Sequence, residues 1–405
     1  MKILFLSLSN AVKNLENRGI FPELINYFKK KGHEMFIVCP LERRFKKRTF
    51  LNVEGSVNIL SVKTLNITKS NFIEKGIATI LIEYQYNRAI NKYFKSVKFD
   101  LILYVTPPIS FNSLINKLKI KHNCKTYLML KDIFPQNAID LGLINKNGFF
   151  HRYFKRKETS LYSVSDRIGC MSEANIEYVL KNNAVVKNKL EVCPNAIQIR
   201  DRATKLLKDA VFEKYDIPKN LPIFLLGGNL GVAQGMDFLI EVLESNQNRK
   251  DLYFLIIGSG NRSHLIQKWI DKKSPLNLRF INQIERQEFD IIESFCDVGL
   301  VILDNRFTIP NFPSRVLSYM ECEMPLLIAT DEVSDIGPIA EENQFGIWSR
   351  SDDIHHFNEN IDFYVNNKDE RRIMGLNGRR FLEKHYTVAH AYQVIMEKVS
   401  VSTES

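Results

Sequence analysis

Arg315 opens a run whose residue types and spacing fit anion binding. Pro310 and Pro313 precede it, and Ser314 stands just before a helix predicted to run to about residue 321. Proline fixes its own φ and disfavours helix in the residue before it, so the approach is extended. Ser314 is then placed to cap the helix with its hydroxyl. A cation in the first turn, beside exposed N–H groups and the positive end of the dipole, is unfavourable for the helix alone and makes sense if an anion binds there. The alternative is a surface arginine on a core helix. A second phosphate-compatible turn runs Gly227-Gly228-Asn229-Leu230-Gly231 and on through Gln234-Gly235, leaving one apolar run and entering a predicted helix at 236–243. A third, Gly258-Ser259-Gly260, ends another apolar run. Glycine admits a phosphate close to the backbone, and a helix start supplies amides. Each turn alone is weak. A nicotinamide site is disfavoured, because the next strand ends in Asn282-Gln283 with no acidic residue. Together the three turns fall at strand ends of one predicted sheet, which is a far more specific pattern.

The elements that must position these residues alternate throughout. Apolar runs at 2–7, 35–39, 100–105, 126–130 and 190–193 read as buried strands of a first unit, with an amphipathic helix at 21–31 carrying Leu24, Ile25 and Phe28 on one side. Runs at 222–226, 252–257, 279–282, 298–303 and 326–329 repeat the pattern, and the chain becomes helical and polar after Trp348. Alternation of this kind predicts α/β architecture: two Rossmann-like, doubly wound parallel sheets, joined near residue 198 through a polar helical connector at 200–215. Expected boundaries are 1–197, 198–385 and a C-terminal helix and tail, 386–405, packing back toward the first domain. Lys131 and Asp132 follow the run at 126–130. Ligands in open α/β sheets gather outside the carboxyl ends of strands. The alternative for Asp132 is a turn or capping residue before Phe134-Pro135.

The 405 residues suffice for two or three domains with buried cores. No apolar run reaches the ~18 residues of a spanning helix, and residues 1–7 are too brief for a signal peptide. The six cysteines lack metal-ligand spacing and are expected to be reduced thiols of a cytosolic protein. His33, His122, His151, His355 and His356 form no metal-ligand pattern, and there is no Asp-x-Asp motif. The net charge of +10 is uneven: residues 1–200 carry 33 Lys and Arg against 15 Asp and Glu, leaving the rest of the chain with 23 against 31. A half with an excess of +18 points to an anionic partner, nucleic acid or a membrane face, unless it merely reflects a lysine-rich composition. The densest runs are 43–48 and 152–157, with Phe45 and the Tyr153-Phe154 pair interleaved. With no nucleic-acid module beside them, the expectation is peripheral attachment to an anionic cytoplasmic leaflet and no nucleic acid.

Over nearly its whole length the chain resembles the retaining glycosyltransferases of family 4, which have the GT-B fold. The resemblance rests on Gly228 to Gly235, on Ile256-Ile257-Gly258-Ser259-Gly260, and on Phe312-Pro313-Ser314-Arg315 continuing to Ile328. Gly32-His33-Glu34 resembles the family's signature after the first helix, and Lys131 to Gln136 resembles a segment of its amino-sugar and fucosamine transferase branch, which builds capsules and O-antigens on a polyprenyl diphosphate lipid. The resemblance implies a C-terminal domain holding a nucleotide sugar and an N-terminal domain receiving a lipid-linked saccharide. It implies a donor, UDP-linked by expectation, held by Gly228, Asn229, Gly231, Gln234, Gly258, Gly260, Pro313, Ser314, Arg315, Ser318 and Glu321, with no cofactor and no metal. Asp132 is implied to orient the acceptor hydroxyl, Lys131 to complement the leaving phosphate, and Arg18 and Gly19 to stand on the acceptor side. Departures are specific. Asn229 and Gln234 occupy places where the family has an Arg and a Lys, and Pro310 and Ser318 occupy places of two glutamates, so Arg315 is the expected main phosphate cation and Glu321 the substitute for ribose recognition. Retention is implied by the family alone, since no covalent nucleophile is identifiable. The alternatives are a sugar-nucleotide epimerase of the same fold and a catalytically degenerate binding subunit.

Overall fold

The computed structural model describes residues 1–67, 72–201 and 205–400. Part of the connector expected at 200–215, and the tail from 401, lie outside these residues. The chain divides into two compact units: Met1–Gln198 with Val388–Ser405, and Ile199–Thr387.

Unit 1 holds β1 (Lys2–Leu6), β2 (Glu34–Glu42), β3 (Phe50–Glu54), β4 (Val57–Thr64), β5 (Leu101–Val105), β6 (Lys125–Leu130), β7 (Arg167–Cys170) and β8 (Leu190–Val192). Their order is β3-β4-β2-β1-β5-β6-β7-β8. All neighbours are parallel except β3, which runs antiparallel to β4. The register sets Ile3 opposite both Met35 and Leu101. One sheet face, with Ile3, Phe5, Ile37, Leu103 and Met129, packs under Leu24, Ile25 and Phe28 of the helix Ile20–Lys30 and under Ile395 of the last helix. The opposite residues Leu4, Val38, Ile102, Tyr104 and Leu128 are equally buried. Burial on both faces is why these strands read as unbroken apolar runs. The last helix, Val388–Ser400, is held in unit 1 by Val388 N donating to Ile197 O (3.1 Å) and by the Tyr392 hydroxyl against His33 Nε2 (2.9 Å).

Unit 2 holds β9 (Ile223–Asn229), β10 (Tyr253–Ser259), β11 (Leu278–Ile281), β12 (Val298–Ile302), β13 (Leu326–Thr330) and β14 (Gly346–Arg350), ordered β11-β10-β9-β12-β13-β14 and all parallel. The chain reverses its direction of travel across the sheet between β1 and β5 in unit 1 and between β9 and β12 in unit 2. At such a reversal the crossovers leave to opposite sides and open a crevice at the strands' carboxyl ends.

Four strands were not expected from the sequence. β3 and β4 form a hairpin through Gly55 (φ 63°), but β3 is almost wholly exposed and so has no apolar face to signal it. β7 has only four residues, and β14 starts at Gly346 with half-exposed Ile347 and Trp348.

Candidate functional site

In unit 2 the crevice is built on the end of β9. Gly228 and Asn229 emerge exposed, and buried Leu230 anchors the turn by donating its N–H to Ser259 O (3.0 Å). Gly228 has φ 105°, and a Cβ there would meet nothing within 4 Å, so its backbone faces open space. Gly235, at φ 54°, begins the helix Met236–Asn246, and a Cβ on it would lie 2.8 Å from Leu303 O at the end of β12. Only glycine satisfies that geometry.

Gly258 and Gly260 have a packing role that the sequence did not indicate. A Cβ on Gly258 would stand 1.8 Å from Gly228 O, and one on Gly260 2.2 Å from Leu230 O. They let the β10 tip lie backbone to backbone against the β9 turn, which shapes the crevice without requiring contact with a ligand. Gly258→Ala is accordingly expected to destabilise unit 2 by ~3 kcal/mol or more, whereas Gly228→Ala pays only for its positive φ, ~1–2 kcal/mol. Thermal unfolding of the two variants checks the difference.

Arg315 reaches this turn from the helix Arg315–Glu321. Its Nη2 donates to Asn229 O (3.1 Å) and to Gln234 Oε1 (2.6 Å), while Nη1 is buried with no hydrogen-bond partner. Burial pushes its pKa below the usual arginine value, yet a guanidinium stays charged at neutral pH. Buried Tyr319, one turn on, accepts from Gly227 N (2.8 Å) and ties the helix to β9. A fixed cation beside an open glycine backbone is an arrangement suited to a diphosphate.

Three further residues of the expected donor set lie on or beside this helix. Ser314 is exposed with helical backbone angles (φ −66°, ψ −21°), and its side chain makes no capping bond, so its hydroxyl does not cap the helix. Ser318 Oγ donates to Arg315 O (3.0 Å) within its own helix. Glu321 is buried, and its Oε1 accepts from Arg200 N (2.9 Å). At 3.6 residues per turn it points well away from the Arg315 face, so it fastens the connector and does not replace a ribose-binding glutamate. Pro313 is half-buried, on a segment held by Asn311 N donating to Ser334 Oγ (3.0 Å). Sequence reading missed Tyr319 as a tether, Gln234 as the clamp on Arg315, and Arg262, whose N–H donates to Leu230 O (3.1 Å) at the rim of the same turn. An arginine two residues after Gly260 was the available signal for the last.

In unit 1, Lys131 and Asp132 follow β6. The backbone N–H groups of Lys131 and Asp132 both donate to Thr106 Oγ1 (3.0 and 3.3 Å), which joins them to the end of β5. Lys131 Nζ donates to Cys193 O (2.9 Å), and burial lowers its pKa to about 8. Asp132 Oδ1 accepts from Asn137 Nδ2 (2.7 Å), and burial raises its pKa to about 6. That brings both groups into the range where proton transfer near neutrality is efficient. Arg18 and Gly19 sit in a separate network: Arg18 Nε is 4.0 Å from Glu23 Oε1, Gly19 N donates to the same oxygen (3.4 Å), and Glu23 Oε2 accepts from Gln198 N (2.6 Å).

The architecture is similar to that of Anabaena Alr3699/HepE solved in complex with UDP (TM-score 0.71, 13% identity, covering 99% of this chain and 100% of that one). It is also similar to sucrose-phosphate synthase from Thermosynechococcus elongatus (TM-score 0.75, 13% identity, both chains covered completely). Residues 22–201 match the family described as Glycosyltransferase Family 4, and residues 208–381 the family described as Glycosyl transferases group 1. The chain is a GT-B glycosyltransferase. It is 22% identical to Pseudomonas aeruginosa "Probable glycosyltransferase WbjE" over 73% of this chain and 72% of that one. It is 22% identical to WcaI of Escherichia coli K12, a glycosyl transferase assigned to colanic acid biosynthesis, over 60% of each.

Within this GT-B glycosyltransferase the group 1 match contains the β9 turn and Arg315, and the family 4 match contains Lys131 and Asp132. Arg18 and Gly19 precede the family 4 match. The six cysteines are all buried, and none forms a disulfide. Among the described residues no helix is long and apolar enough to cross a membrane.

Proposed function

We propose that this glycosyltransferase moves a sugar, with retention of anomeric configuration, from a nucleoside-diphosphate donor to a lipid-linked saccharide in bacterial surface polysaccharide synthesis. The observation that carries the reading is Arg315: a cation pinned by Asn229 and Gln234 against the glycine turn at the sheet's reversal point, where the Gly228 backbone is open. The bond from the anomeric carbon to the β-phosphate oxygen breaks, and its electron pair leaves with the diphosphate. Arg315 and the amides of the β9 turn stabilise that charge, a contribution that often dominates catalysis. The acceptor hydroxyl, oriented by Asp132, forms the new bond through its oxygen from the same face and gives its proton to the departing diphosphate oxygen, while Lys131 complements phosphate charge. No step requires a metal ion or an added cofactor.

UDP is the favoured carrier, supported by the likeness to a protein solved with UDP. An N-acetylated amino or deoxyamino sugar is favoured by the likeness of Lys131 to Gln136 to the fucosamine-transferase branch. The relative assigned to colanic acid biosynthesis supports an exopolysaccharide or O-antigen setting, a polyprenyl-diphosphate acceptor, and a place on the cytoplasmic face of the membrane.

Thermal shift across UDP-, GDP-, dTDP- and CMP-linked sugars is expected to single out a UDP-amino sugar. The same donor should then be consumed only when lipid-linked acceptor is added. Isomerisation of the donor without acceptor would make the chain an epimerase, and binding without either reaction a degenerate subunit.

A further inference from the structure

We propose that unit 1 docks on an anionic phospholipid bilayer through two apolar ridges that flank the turn Ile109–Phe111. The proposal takes up the lipid-linked acceptor of the preceding section and names the surface that meets its membrane.

The first ridge is the outer face of the helix Phe72–Tyr93. Ile77, Ile80, Leu81 and Tyr84 recur at helical spacing and are exposed, Ile80 by 59% and Tyr84 by 62%. The helix buries a different set, Ala78, Ile82, Tyr86 and Ile90, so the exposed stripe is additional to the face that holds it to the fold. A soluble helix normally keeps its second face polar. The second ridge begins the helix Phe149–Val164: Phe149 and Phe150 are 75% and 54% exposed, their rings 5.6 Å apart, with Leu143 61% exposed nearby in sequence.

Both ridges are fixed to the same turn. Tyr86 stacks on Phe111 at 5.3 Å, and Glu83 Oε1 accepts from Leu114 N (2.6 Å). From the other side, Asn112 Nδ2 donates to Ser160 Oγ (3.0 Å), and Lys157 Nζ to Asn112 Oδ1 (3.2 Å). Both also lie at the sheet's carboxyl end. The Tyr86 hydroxyl donates to Ser7 O (2.9 Å) just beyond β1, and Phe154 packs at 4.9 Å on Phe134, two residues from Asp132.

Charge decides the occupant. Exposed Arg88 continues the first stripe one turn past Tyr84, and exposed Lys146, Arg152 and Arg156 surround the second ridge. Arg152 and Arg156 border a shallow groove of about 520 Å³ along their helix. Aromatic and aliphatic tips ringed by cations match an interface of acyl chains beneath anionic headgroups. A second copy paired through this face would set the same cations against each other, so a bilayer fits better than a dimer. Of the insertion residues expected in the sequence, Tyr153 and Phe154 are half-buried, packed on each other with Phe154 on Phe134, while Phe45 is half exposed beside Arg44 and Lys13.

The test is co-sedimentation of the full chain with phosphatidylglycerol-containing and pure phosphatidylcholine vesicles across a salt series. Wild type should bind the anionic vesicles and release with salt. Ile80→Ser with Tyr84→Ser, and separately Phe149→Ser with Phe150→Ser, should each lower partitioning roughly tenfold or more while keeping the UDP thermal shift. Arg152→Gln with Arg156→Gln should flatten the salt dependence. Neutralising Lys46, Lys47 and Arg48 should cost much less. Wild-type partitioning in both apolar pairs overturns the surface. So does absence of binding by wild type at low salt, and so does loss of a dimer in light scattering without loss of vesicle binding. If the pairs lose vesicles but wild type glycosylates no lipid-linked saccharide, the surface stands and the proposed reaction falls. If wild type glycosylates the saccharide but the pairs partition undiminished, the reaction stands and the surface falls.

Discussion

Arg315→Ala is expected to lower kcat/KM by roughly 10- to 150-fold and to weaken nucleoside-diphosphate binding in parallel. A hydrogen bond to a charged group contributes about 1.5–3 kcal/mol, and each 1.36 kcal/mol is tenfold in rate. Nη2 holds Asn229 O and Gln234 Oε1, which fixes the guanidinium against the β9 turn. Lysine at this position keeps the charge but has no second edge: if its ammonium bonds Gln234 it leaves the phosphate, and the reverse. Arg315→Lys should therefore recover only part of the loss. Gln234→Ala, which keeps Arg315 but frees it to swing, should raise KM more than it lowers kcat. Alanine kinetics indistinguishable from wild type would take Arg315 out of the site.

The β9 turn of the candidate site was legible because it is built from backbone-permitting residues in a fixed order along one strand–turn–helix. Gly228 and Gly235 are required by local geometry, and a sequence shows such requirements directly. Gly258 and Gly260 look the same in sequence but answer to a neighbouring backbone, a long-range contact with no local signature. Glu321 illustrates the opposite error. Reading along a helix places it near Ser318, yet its azimuth sends it to the connector at Arg200. Parallel strands buried on both faces announced themselves as apolar runs, whereas β3 at the sheet edge, exposed along most of its length, had no burial to imprint a pattern. The apolar stripe on the helix Phe72–Tyr93 had no sequence signature for a related reason: its apolar residues fall on two faces, and only exposure shows which face has no partner.

Asp132→Asn is expected to abolish transfer, by about a hundredfold or more, while leaving nucleotide-sugar affinity near wild type. The substitution keeps an oxygen that can accept from Asn137 Nδ2, so the local hydrogen bond survives. It removes a charge that burial disfavours, since the Asp132 pKa is raised to about 6 from 3.8. The sign follows. Between pH 3.8 and about 6 the unfolded chain gives up this proton before the folded one does, so the folded state loses stability as pH rises through that window and stays lower above it. At neutral pH Asp132→Asn should thus be as stable as wild type or more stable, by ~1 kcal/mol, less than the full shift implies because the residue is only half-buried. Activity has the opposite slope: the carboxylate form needed to orient the acceptor hydroxyl accumulates only as pH rises through about 6, so kcat should climb there in wild type. A residue kept ionised at a cost to stability is kept for function. Unfolding scans and pH–rate profiles on both proteins test the pair of slopes together. A variant that loses stability, or one that loses donor affinity and transfer equally, would make Asp132 part of the scaffold and leave the acceptor hydroxyl to another group.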